Sequence, residues 1–123
     1  MNTSKVVIIS TGGTIAMRYD PVQKGVFPAV TGQELVEAIP PLVEVYPIEV
    51  YEFSNIPSPH MTPQLMLKLA QKVEQILATE NVRGIVITHG TDTLEETAYF
   101  LSLILQSNKP VCLTAAMRSS AER

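Results

Sequence analysis

Two turns in this chain gather residue types that suit acyl transfer: Thr11-Gly12-Gly13-Thr14 and Thr88-His89-Gly90-Thr91-Asp92-Thr93. A threonine hydroxyl attacks a carbonyl only when a neighbouring base takes its proton. A glycine beside it lets substrate approach the backbone, and lets N–H groups face a developing oxyanion. Asp92 adds a carboxylate as charge partner. Taken singly, a Thr/Gly turn after a strand is commonly just a turn. The pair is more specific, provided both turns stand at one end of one sheet.

The flanking sequence predicts such a sheet. Strands are expected at Lys5 to Ser10, Glu44 to Phe53, Gly84 to Thr88 and Pro110 to Ala115. Three of them are continuous Val/Ile/Leu runs, the pattern of strands covered on both faces. Helices are expected between them. Thr31-Gly32-Gln33-Glu34 has capping-box form ahead of Leu35, Val36 and Ile39. Thr62-Pro63 reads as an N-cap and first helical position, and Met66, Leu69, Val73, Ile76 and Leu77 follow at helical spacing as core. A third helix is expected from about Thr93 to Gln106, with Glu95 and Glu96 favoured by the dipole at its start. Alternating strands and helices imply a three-layer α/β domain with a parallel sheet, Rossmann-like or flavodoxin-like. Ligands of such sheets bind outside the carboxyl ends of the strands. The unusual segments fall at those ends: Thr11 to Thr14, Ser54 to His60, His89 to Asp92 and Ala116 to Ser119.

The 123 residues suit one domain, and 46% apolar content suffices for a core. Nine Lys and Arg against twelve Asp and Glu leave a formal charge of −3 with no basic stripe, which argues against nucleic acid and anionic membranes as partners. The apolar run Val6 to Ile9 is too short for a signal-peptide core or a membrane span, so a cytoplasmic protein is expected. Cys112, the single cysteine, reads as a small buried hydrophobe. Met17 to Val30 has no period and contains Pro21, Gly25 and Pro28, as a lid or a disordered loop would. Two histidines without ligand-spaced cysteine or carboxylate make no zinc site. His89 fits a positional hydrogen-bonding role better than that of a base, and His60 fits an exposed loop. Asp92 also fits the N-cap of the third helix. Neither a dinucleotide fingerprint nor a P-loop accompanies Gly12-Gly13.

Val7 to Ala16 and Val86 to Ala98 closely resemble the two signature motifs of the bacterial L-asparaginase and glutaminase family, and Lys109 to Arg118 looks like the family's continuation. The resemblance covers essentially the whole chain. It implies hydrolysis of L-asparagine, with L-glutamine left open as a further substrate, to the acid and ammonia through a threonine acyl-enzyme. Thr14 would be the nucleophile and Thr91 the second catalytic threonine. Asp92 would bind the substrate's amino group, Ser58 its carboxylate, and the carbonyl of Ala116 the departing amide. N–H groups near Gly13 and Thr91 are the expected oxyanion donors. No metal or organic cofactor is implied, and the partner is a small amino-acid amide.

This chain departs from the family pattern at three points. The family's catalytic lysine falls beyond Arg123. The tyrosine that members carry late in the loop after the first motif falls near Val26 and Phe27, whereas the loop tyrosine here is Tyr19. Gln and Asp often follow the substrate serine, whereas Pro59 and His60 follow Ser58. Members are longer, with a C-terminal domain, and pair as close dimers whose sites borrow an acidic residue from the partner. Residues 1–123 are therefore expected to form the N-terminal α/β domain of a homo-oligomer, inactive by themselves. Two other readings stay open: a non-catalytic fragment retaining weak amino-acid binding, and the glutamine-hydrolysing subunit of an amidotransferase.

Overall fold

A computed structural model describes residues 4–28, 30–38 and 46–117. Its strands are β1 (Lys5–Ser10), β2 (Met17–Asp20), β3 (Gly25–Pro28), β4 (Ile48–Glu52), β5 (Val82–Thr88) and β6 (Val111–Thr114). Its helices are α1 (Gly32–Glu37), α2 (Pro63–Leu77) and α3 (Leu94–Ile104). Four strands form an all-parallel sheet in the order β4-β1-β5-β6. Counted along the chain, that order is 2-1-3-4, the flavodoxin-like arrangement, whose ligand crevice opens between its first and third strands, here β1 and β5.

Alternation along each strand sorts side chains to two faces. Val7 and Ile9 of β1 stand beside Ile85 and Ile87 of β5. They form one buried cluster with Leu69, Ala70, Val73 and Leu77 of α2 and Leu101 of α3. Truncating one such aliphatic to alanine costs about 2–5 kcal/mol. On the opposite face α1 closes tightly: a Cβ on Gly32 would lie 2.8 Å from the Ser10 Cβ and 2.9 Å from a methyl of Val50. The described residues thus form three layers, as the sequence predicts.

Helix starts follow their caps. The Thr31 hydroxyl accepts from the Glu34 N–H, and the Thr62 hydroxyl from the Leu65 N–H, with Pro63 at the first position of α2. The far end of α2 is held by Lys109, whose Nζ donates to the carbonyls of Leu77 and Thr79. Ile39, expected to extend α1, and Glu44 and Val45, expected to begin β4, lie outside the described residues.

Two expectations are corrected. Met17 to Val30 is not an aperiodic loop: β2 and β3 pair antiparallel, with Tyr19 opposite Val26. The four residues between them end at Lys24 with φ of 54°, just before Gly25, a left-handed turn residue that reverses the chain. Cys112 is exposed rather than buried. It pairs in register with Val86, so it faces away from the α2/α3 core, and α1 contacts β4 and β1 rather than β5 and β6.

Candidate active site

Thr11 draws the carboxyl ends of three strands together. Its N–H and its hydroxyl both reach the carbonyl of Thr88, at 3.1 and 2.7 Å. Its own carbonyl accepts from the Ser54 hydroxyl and the Ile56 N–H. The turn after β1 is thereby bound to the turns after β4 and β5, and Thr11 is buried.

The glycines let these turns touch. Gly13 has φ of +86°, and a Cβ there would lie 2.5 Å from the backbone of Gly90. A Cβ on Gly90 would in turn lie 2.7 Å from the Cβ and Oγ of Ser58. Gly13, Gly90 and Ser58 therefore stack in contact, a proximity that any side chain at the glycines would prevent. Thr14 follows Gly13 and opens a short 3-10 turn, Thr14–Ala16. Thr91 and Asp92 follow Gly90 and are exposed. The three catalytic candidates are thus each one or two residues from a single contact point at the β1/β5 crevice.

Hydrogen bonding sorts the hydroxyls. Thr11 is bonded to Thr88, and the Thr93 hydroxyl donates to the Ser58 carbonyl at 2.8 Å. The Thr88 hydroxyl is buried without a partner among the described residues. No hydrogen bond among the described residues occupies the side chains of half-buried Thr14 or of Thr91 and Asp92. Thr14 and Thr91, unlike Thr88, are thus both unbonded and outside the buried interior.

Ser58 is buried, and its Oγ accepts from the Thr93 N–H at 3.2 Å. The bond to the Thr93 N–H caps the start of α3 from another loop, since Thr93 makes no side-chain cap of its own, and the Thr93 hydroxyl returns a bond to the Ser58 carbonyl. Asp92 is therefore not the cap that the sequence also allowed. The Ser58 hydroxyl donates to no acceptor among the described residues. The Gly13 N–H, expected near the oxyanion, donates to the Ile56 carbonyl at 3.1 Å. The Thr91 N–H carries no bond among the described residues. Ala116 is half-buried, two residues past Thr114, whose carbonyl accepts from the His89 N–H. Arg118 and Ser119 lie outside the described residues. Tyr19 lies on β2 opposite Val26, near which the family's tyrosine falls.

Sequence reasoning missed the Ser58–Thr93 couple and the hairpin. The couple joins residues 35 apart and has no local signature. The hairpin had one in Lys24-Gly25, between short runs containing Tyr19, Val26 and Phe27. His60 is exposed. Among the described residues no cluster of His, Cys, Asp and Glu could hold a metal ion, and no helix is long and apolar enough to cross a membrane.

The chain is 42% identical over 119 residues to an L-asparaginase of Bacillus licheniformis, covering 97% of this chain and 37% of that protein. It is 39% identical over 119 residues to a glutamyl-tRNA(Gln) amidotransferase component of Methanococcus vannielii, covering 97% of this chain and 28% of that one. A crystal structure of a probable cytoplasmic L-asparaginase from Campylobacter jejuni superposes with a TM-score of 0.84 at 41% identity, over 97% of this chain and 34% of that one. The chain thus spans roughly a third of the length of such relatives. Residues 5–123 match the family described as Asparaginase, N-terminal, and the chain belongs to that family.

Proposed function

We propose that this chain is the N-terminal α/β domain of an L-asparaginase-type amidohydrolase that converts L-asparagine, and L-glutamine as a second substrate, to the acid and ammonia. The observation that carries this reading is the sorting of hydroxyls at the β1/β5 crevice: Thr11 and Thr93 are bonded internally, while Thr14 and Thr91 are free. Thr14 Oγ attacks the side-chain amide carbon. Its proton passes by way of the Thr91 side of the crevice to the departing nitrogen, the C–N bond breaks and ammonia leaves. Water then attacks the ester, releasing the acid and restoring the hydroxyl. The Thr91 N–H faces the oxyanion in both steps. Asp92 binds the substrate's ammonium group, the Ser58 hydroxyl donates to its carboxylate, and the Ala116 carbonyl accepts from the amide. The resemblance adds a lysine working with Thr91, which none of the 123 residues supplies. It also supports a cytoplasmic homo-oligomer whose sites are completed across subunits.

In the protein, Thr14→Ala lowers kcat by at least about 10³-fold, as loss of one member of a catalytic set does. Thr11→Val removes one internal hydrogen bond, costs about 1 kcal/mol of stability and leaves kcat within about tenfold. Ammonia release and thermal melting check both, and a larger kcat loss at Thr11 than at Thr14 overturns the assignment. The likeness to an amidotransferase component favours one second reading, glutamine hydrolysis that feeds ammonia to a partner enzyme. Turnover of glutamine in preference to asparagine would select it. Binding of either amide without turnover would select a non-catalytic module.

A further inference from the structure

Among the described residues His89 is the largest buried polar side chain, and both its ring nitrogens are engaged. Nδ1 lies 2.8 Å from the carbonyl oxygen of Gly90, and Nε2 lies 2.9 Å from the hydroxyl of Thr97, itself buried in the first turns of α3. A carbonyl only accepts, so Nδ1 carries the proton. In the singly protonated ring Nε2 then accepts from the Thr97 hydroxyl. The His89 N–H donates to the Thr114 carbonyl, which fixes the residue's own backbone.

The Gly90 carbonyl and the Thr91 N–H belong to one planar peptide unit and point in opposite directions. Holding the carbonyl oxygen toward the interior therefore turns the Thr91 N–H the other way. A hydrogen bond at the oxygen also polarises the N–H across the same unit. That N–H is unbonded among the described residues, whereas the N–H of Gly13 is bonded to Ile56. The geometry points to His89 as a positioning residue: its Nδ1–H, steadied by Thr97, aims and strengthens the Thr91 amide as an oxyanion donor. The ring does not touch the reacting atoms. The inference rests on the amidohydrolase reading for its kinetic consequence, but not for its tautomer.

Two measurements on the protein test it. Two-bond 1H–15N correlation of the His89 ring at neutral pH is expected to show a protonated Nδ1 and a bare Nε2. Protonation at Nε2 alone overturns the proposal whether or not the protein is an amidase. His89→Leu is expected to lower kcat at least about tenfold with KM within about twofold, since a donor mis-aimed at the transition state acts on kcat. His89→Asn places an amide N–H near the Nδ1 position and is expected to recover most of that loss. Should His89→Leu fail to fold, Thr97→Val frees the ring's far end, moves the Thr91 amide 15N resonance and lowers kcat, and Thr97→Ser restores both. A folded His89→Leu with wild-type kcat, or a Thr97→Val protein with Thr91 amide resonance and kcat unchanged, would leave His89 a core residue only.

Discussion

At the scale of single residues, the site separates threonines that build from threonines that are free to react. Thr11 binds three strand ends and Thr93 binds Ser58, so their hydroxyls are already hydrogen-bonded. Asp92 sits beside them with its carboxylate in no hydrogen bond or ion pair among the described residues. A carboxylate that neither caps nor pairs contributes little to folding, and its charge is available to a ligand. Asp92→Asn is accordingly expected to change unfolding free energy by less than about 0.5 kcal/mol. On the proposed reading it removes the group that meets the substrate's ammonium, so kcat/KM is expected to fall at least about tenfold, a barrier change of about 1.4 kcal/mol. Thermal melts alongside steady-state kinetics check the pair of outcomes. Wild-type kinetics would remove Asp92 from the substrate site.

At the scale of elements, three turns from different strands interlock through close approach at two glycines. Gly13 meets Gly90, and Gly90 meets Ser58. An alanine at Gly13 would be strained by its φ of +86° and would press on the Gly90 backbone from 2.5 Å. Strain of this kind costs about 1–3 kcal/mol, and overpacking adds a comparable amount. Gly13→Ala is therefore expected to lose at least about 2 kcal/mol in urea unfolding, and the Thr14 and Thr91 turns are expected to separate. A loss below about 0.5 kcal/mol would mean that the turns do not touch as described.

Over the whole molecule, the sheet order sets both stability and the place of chemistry. Among the described residues β1 and β5 each have a strand on both sides, while β4 and β6 are the edges of the sheet. Their inward residues, Val7, Ile9, Ile85 and Ile87, join α2 and α3 in one cluster. Amides of Val7 to Ile9 and Ile85 to Ile87 are expected to exchange hydrogen at least about tenfold more slowly than those of Val111 to Thr114, because they open only with the core. Hydrogen exchange followed by mass spectrometry or NMR checks this order. Equal protection in β6 would contradict its position at the edge. The same two central strands lead into the two threonine turns.

The sequence alone determined the parallel α/β class, the extent of β1, the starts of α1 and α2, and the placing of the unusual turns at strand ends. These follow from short-range causes: continuous apolar runs, threonine caps and a proline at a first helical position. Recognition of the two signature motifs also came from the sequence, since each motif lies within one strand–turn unit. The tertiary structure decided which hydroxyls are free, that the Gly13 N–H is taken by Ile56, that Ser58 caps α3, that both nitrogens of His89 are held, and that Cys112 lies in the open. Each of these depends on groups from different loops, or on which sheet face a helix covers. A hydroxyl's partner in another turn leaves no trace in the spacing of its own neighbours, so only the folded sheet could assign it.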